Sequence, residues 1–238
     1  MTPALILTRP APQAEIFAAE IAARWAGAVR IIISPLLRIV SLPVVEDLSH
    51  IKGVIFTSAH GVAAAQDTNL PHGLPAWCVG DKTAQLASDA GFDSIVGPGD
   101  AVRLVDKIQS RRPVGPLAHL RGHHTRGGIA GKLTGAGIGC IDVVAYDQLA
   151  QSLSDDARHA LQGVEPVIIP LFSPRTATIL AEQSPFTAPV QLIVISTAVQ
   201  SAAAAIRVKS VSVAGTPDAE AMIVATLKRL GAVAEWFP

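Results

Sequence analysis

Six short runs of hydroxyl, arginine or glycine residues each follow an apolar stretch: Thr8-Arg9, Thr57-Ser58, Gly80 with Thr83, Arg121-Gly122, Ser173, and Ser196-Thr197. Each precedes a segment whose composition predicts a helix. A helix start leaves backbone N–H groups unpaired and presents the positive end of the helix dipole, which together suit a carboxylate or phosphate. Taken singly, each residue reads equally well as an N-cap. Six such turns in two matched sets point instead to a surface that grips an anion. Arg9, Arg121 and Arg175 could pair with the same anion or with acidic groups of the protein; the hydroxyls rank above them.

The elements that must position these residues repeat within the chain. Val54–Ala65 and Leu171–Ala181 are both apolar strands that end in Phe and Ser and run into small-residue helices. Gly80 lies 24 residues after Phe56, and Ser196 lies 24 after Phe172. Gly99-Asp100-Ala101 and Pro217-Asp218-Ala219 then open a helix in each copy. A shorter unit also occurs twice, as Leu5–Pro10 and Ala118–Gly122, each leading to a second strand at Val29–Ile33 or Ile141–Ala145. Internal repetition of this kind governs the fold. The order short, long, short, long predicts two similar α/β domains. The central pair forms an inserted domain (36–149), and the termini form a split one (1–35 and 150–238). Crossings are expected near Ser34–Pro43 and Ala145–Ser152.

Short apolar strands alternating with helices predict parallel sheets covered on both faces. The punctuation places strands at 4–8, 29–33, 53–57, 76–79, 94–96, 117–120, 141–145, 167–172, 191–195 and 211–213. It places helices near 12–25, 59–66, 82–90, 101–111, 126–136, 154–162, 175–182, 198–205 and 217–230. The polar turns then fall at the carboxyl edges of the sheets, where open α/β folds bind ligands. If the two edges face each other, they frame a cleft lined with anion-binding backbone.

Composition narrows the function. The chain has 238 residues, 50% apolar and 16% charged, with 19 basic and 19 acidic side chains. That balance argues against nucleic-acid binding, which needs a basic face. Aromatic residues make up only 4%, too few for recognition by stacking. The amino terminus lacks the features of a secretory signal. Leu192–Ile206 is the most membrane-like stretch, yet it is too short to span and divides into a strand and an Ala-rich helix. A cytoplasmic monomer is expected. Cys78 and Cys140 lie in apolar strands and read as buried thiols. No metal is expected: His123-His124 reads as an exposed turn, because adjacent side chains rarely converge on one ion. Neither a dinucleotide fingerprint nor a P-loop occurs, and no Ser/His/Asp arrangement is recognisable by local motif.

At the strand-end residues the chain resembles the uroporphyrinogen-III synthase family. The resemblance rests on Leu7-Thr-Arg-Pro10, Ile55-Phe-Thr-Ser58, Cys78–Ala84, Leu120-Arg-Gly122, Gly135–Tyr146 and Phe172-Ser-Pro174, and spans nearly the full length. It implies two α/β domains, the first discontinuous, with a two-segment connection. It also implies the dehydration and cyclisation of hydroxymethylbilane, with inversion of ring D, and no cofactor. Tyr146, the only tyrosine in the chain, matches the family's tyrosine and is the candidate for donating a proton to the departing hydroxyl or for positioning it. Thr57, Ser58 and Thr83 would bind carboxylates. Ile195-Ser-Thr-Ala-Val199 departs from the family pattern, which has Gly followed by a Thr pair. The architecture alone also fits a two-lobed, non-catalytic binding protein for an anionic metabolite. A transferase or epimerase acting on an anionic sugar fits less well, since no residue is placed by motif as a strong base.

Overall fold

The computed structural model describes residues 2–124 and 128–236. In chain order the elements are β1 (Ala4–Leu7), α1 (Ala11–Arg24), β2 (Arg30–Ile33), β3 (Leu37–Ser41), β4 (Gly53–Phe56), α2 (Ala59–Ala65), β5 (Pro75–Cys78), α3 (Asp81–Asp89), β6 (Asp93–Val96) and α4 (Ala101–Arg111). They continue with β7 (Leu117–Gly122), α5 (Ile129–Gly135), β8 (Cys140–Ala150), α6 (Asp155–Gln162), β9 (Val167–Leu171), α7 (Pro174–Glu182), β10 (Val190–Val194), α8 (Thr197–Ala202), β11 (Ser210–Val213) and α9 (Ala219–Trp236). The helix expected over 126–136 is present as α5; residues 126 and 127 lie outside the described residues.

One sheet has the strand order β11-β10-β9-β1-β2, and the other β3-β8-β7-β4-β5-β6. Apart from β3 the two orders correspond strand for strand, so the sequence echo reappears as topology. The pairings among β1, β2, β9, β10 and β11 are parallel, as are those among β4 to β8. The chain divides into two compact units, Met1–Arg38 with Ala150–Pro238, and Ile39–Leu149.

Strand β3 has no counterpart in the sequence reading, and β8 runs well past the expected end at residue 145. The Leu42 amide donates to Ala145 O and the Gln151 amide to Leu36 O, so the two strands run in opposite directions. This pairing satisfies backbone groups that would otherwise stand open in a connection. Local apolar pattern does not reveal it, because residues in β3 are largely half-buried or exposed.

Alternation along each central strand feeds two cores. In the first unit, Ala4 and Ile6 of β1 pack with α6, α7 and α8, while Leu5 and Leu7 pack with α1 and α9. In the second, Val54 and Phe56 of β4 pack with α2 and α3, while Ile55 packs with α4 and α5. Strands buried on both faces explain why these segments read as unbroken apolar runs. Aspartates start matching helices in the two units: Asp100 Oδ1 accepts from the Arg103 amide at 2.9 Å, and Asp218 Oδ1 from the Ala221 amide at 2.8 Å. Capping of this kind satisfies donors that the first helical turn leaves open.

Candidate functional site

Most of the sequence-predicted residues lie at, or within two residues of, strand carboxyl ends, and they fall into two groups, one in each unit; Thr197 opens α8, and Tyr146 lies within β8, paired with Gly122 at the end of β7. Thr57, Ser58, Gly80, Arg121, Gly122 and Tyr146 line the carboxyl edge of the β4–β8 sheet, with Thr83 in the first turn of α3. Thr8, Arg9, Ser173, Ser196 and Thr197 do the same for the sheet containing β1, β9 and β10.

Ser58 and Tyr146 meet. Ser58 Oγ lies 2.9 Å from the Tyr146 hydroxyl. Ser58 also caps α2, accepting from the Gly61 amide at 3.4 Å. Tyr146 reaches this position through a bulge. Arg121 pairs with Val144, but the next residue, Gly122, pairs with Tyr146, so Ala145 is extra. An added residue reverses which face the following side chain occupies. Val143, Ala145 and Tyr146 consequently all contribute to one core, with α2 and α3. The ring covers Gly122, where a Cβ would fall 2.6 Å from Tyr146 Cε2. Glycine is required here by the close approach of the ring. His60 flanks the ring, with centroids 5.6 Å apart.

A second polar chain passes through His119, which the sequence reading did not nominate. Its side chain is 2% exposed. Nδ1 lies 2.8 Å from Asp142 Oδ1, and Nε2 lies 3.4 Å from Thr57 Oγ1. Burial lowers the His119 pKa, outweighing the opposing hydrogen bond and charge of Asp142; Arg121 adds to the lowering. The neutral ring donates Nδ1–H to Asp142 and leaves Nε2 as an acceptor. Thr57 then donates its proton inward and presents oxygen lone pairs outward. In that state Thr57 suits an N–H donor better than the carboxylate expected from sequence. The available signal was a histidine inside an apolar strand, directly opposite an aspartate in the next parallel strand, in register His119↔Asp142.

Arg121 is held by the protein. Nη1 donates to Gly122 O at 3.0 Å, and Nε lies 3.3 Å from Asp142 Oδ2, too poorly aligned for a hydrogen bond. Gly80 begins α3 without a side-chain cap, and Thr83 is buried.

In the other unit, the Arg9 guanidinium stacks on Phe172, 4.1 Å from the ring centroid. Its pKa is lowered by burial. Among the described residues Arg9 has no ion pair, so it offers an uncompensated cation. Thr8 is 1% exposed, and its hydroxyl has no hydrogen-bond partner among the described residues; this sealed position does not suit direct contact with a large ligand. Ser173 caps α7, accepting from the Thr176 amide at 3.1 Å, and bonds the Thr176 hydroxyl at 2.8 Å. Ser196 makes no capping bond with its side chain, which distinguishes it from Ser58 and Ser173. A recess lined by Gln191, Lys209, Ser210 and Arg229 lies at the amino ends of β9–β11, the opposite edge from these candidates.

Cys78 and Cys140 are free and buried, and burial pushes their thiols up to about 11 and about 12. Protonated thiols of this kind are poor nucleophiles and poor metal ligands. His123 and His124 do not diverge as adjacent strand residues would. They follow the end of β7 in a bend, with ring centroids 4.9 Å apart. No helix among the described residues is long and apolar enough to cross a membrane.

Parallel sheets flanked by helices, with polar turns gathered at their carboxyl ends, define an α/β protein of the kind that binds small ligands at those ends. A solved uroporphyrinogen-III synthetase from Helicobacter pylori shares this fold, with a TM-score of 0.66 and 17% identity over 96% of this chain and 100% of that one. A mutant uroporphyrinogen III synthase from Thermus thermophilus aligns with a TM-score of 0.47 and 14% identity, covering 98% and 99% of the two chains. A search of curated protein sequences returns no significant match. The family model described as uroporphyrinogen-III synthase HemD matches residues 19–224. The chain belongs to the uroporphyrinogen-III synthase family, cyclising hydro-lyases of tetrapyrrole biosynthesis.

Proposed function

We propose that the carboxyl edge of the β4–β8 sheet carries the chemistry, with Tyr146 as the group that assists loss of the hydroxyl from hydroxymethylbilane. The observation carrying this reading is the 2.9 Å contact between Tyr146 and Ser58. Ser58 already accepts from the Gly61 amide. When its own proton goes to the tyrosine oxygen, the phenolic proton is free to point at the departing hydroxyl. A phenol with an ordinary pKa of about 10 is a weak acid at neutral pH. A hydrogen bond strengthening as the C–O bond breaks is therefore the form of catalysis it suits.

Departure of water leaves a cationic azafulvene. The site should keep fixed cations away from that carbon, and Arg121, turned onto Gly122 O and Asp142, meets that need. Ring D must then be attacked at its substituted position, which is a matter of orientation. The holding energy would come from the substrate's acetate and propionate groups, gripped by the amides opening α3 at Gly80; Arg9, Ser173, Ser196 and Thr197 are proposed as anion-binding groups of the first unit. Thr57, held by His119, would accept from a pyrrole N–H. Balanced charge supports a small polyacid rather than nucleic acid as partner. Free buried thiols fit a reducing, cytoplasmic setting, and the protein is proposed to act as a monomer.

Freshly prepared hydroxymethylbilane, incubated with the protein and resolved into isomers, tests the proposal. Uroporphyrinogen III in excess over the spontaneous type I product supports it. Type I alone would favour a non-catalytic binder of anions.

A further inference from the structure

We propose that His123, His124 and Asp147 form a binding site for a divalent transition-metal ion of the zinc class. Their ligand atoms all lie within 4.8 Å of one another, and His124 Nε2 is 3.8 Å from Asp147 Oδ1. Ligands around zinc stand about 2.0–2.2 Å from the ion in a tetrahedron, so the three need to draw in by roughly an ångström to coordinate it. They have room to do so. His124 is about half exposed, with 52% of its side chain accessible, and Asp147 is 21% accessible.

The backbone beneath them is fixed. The bulge that seats Tyr146 also sets His123 beside β8, where the His123 amide donates to Tyr146 O at 2.9 Å. Arg121 Nη1 bonds His123 O at 3.3 Å, and Asp147 Oδ1 accepts from the Gln148 amide at 2.7 Å. Two imidazoles over a pinned backbone, facing a carboxylate already held in place, can close on an ion at small conformational cost. Arg121, which bonds His123 O, is offset by Asp142 at 3.3 Å. Two imidazoles and one carboxylate leave the fourth position open to water or an anionic ligand. This donor set favours zinc, copper or nickel over magnesium, which prefers oxygen ligands. Thiols do not compete, because Cys78 and Cys140 are buried and held protonated.

The site stands independently of the reaction assigned above, and its test uses no catalytic readout. Full-length protein without a polyhistidine tag, stripped with chelator, is titrated with Zn2+ alone by calorimetry, alongside His124→Ala and Asp147→Asn. Circular dichroism and thermal midpoints establish that each variant folds. The expected result is saturable binding of one ion, with Mg2+ failing to compete. Each variant should bind at least about tenfold more weakly, since loss of even a supporting residue costs that much at metal sites. Co2+ should give visible absorbance without a thiolate charge-transfer band. Equal affinity in the wild type and both folded variants would overturn the site, as would absence of saturable binding or a thiolate band.

Discussion

Gly122 stands where a methyl group would enter the Tyr146 ring, 2.6 Å from Cε2. Gly122→Ala should push the phenol off Ser58, slow formation of the type III isomer and cost about 1–3 kcal/mol by overpacking. Unaltered rate and thermal midpoint would remove the close approach from the account. His119 makes a different prediction. Burial lowers its pKa in the folded protein, so the unfolded chain takes up a proton near pH 6.5 that the folded chain refuses until lower pH. Its contribution is present in full above about pH 6.5 and is lost as pH falls toward the folded value. His60 shifts in the same direction, also by burial. The thermal midpoint should fall between about pH 7.5 and pH 5. His119→Gln, which keeps a hydrogen-bonding end, should flatten that profile without abolishing it. A profile as steep as the wild type's would locate the titration elsewhere.

Among elements, α2 sits hard against β7. A Cβ on Gly61 would lie 2.7 Å from Leu120 O, a backbone atom that cannot yield. Gly61→Ala should displace the helix that Ser58 caps and destabilise by about 1–3 kcal/mol. Gly131 in α5 has open space around it, so Gly131→Ala should stabilise by up to about 1 kcal/mol through helix propensity. Chemical denaturation of both variants checks the opposite signs. These contrasts also mark the reach of the sequence. Apolar runs bounded by Gly, Pro, Ser and Asp are local signals, and helix α4 over 101–111 is found where they place it. Strand β3 and the bulge at Ala145 arise from long-range pairing, which no local pattern reports. The polar turns were legible because a strand end followed by a cap has a short signature. The His119–Asp142–Thr57 chain was not, since it links residues of β7 and β8 with the turn after β4, which become neighbours only through sheet order.

For the whole molecule, each sheet has its own pair of cores, and the side chains of β4 and β10 share none of them. Phe56→Ala should cost about 3–5 kcal/mol and Leu192→Ala about 2–5 kcal/mol. Amide exchange should show the first loosening mainly β4, β5 and β7, and the second mainly β9, β10 and β1. Uniform loss of protection in both variants would contradict separate cores. At this scale a charge-balanced protein is proposed to handle a polyacid through amides and hydroxyls at strand ends, with Tyr146 assisting the departing hydroxyl. The rate at which Tyr146→Phe produces uroporphyrinogen III, set against the wild type on the same batch of hydroxymethylbilane, tests that account most directly. The predicted result is a fall of about 10²-fold with the thermal midpoint nearly unchanged and the spontaneous type I isomer dominating the product. Turnover to type III at the wild-type rate would contradict it.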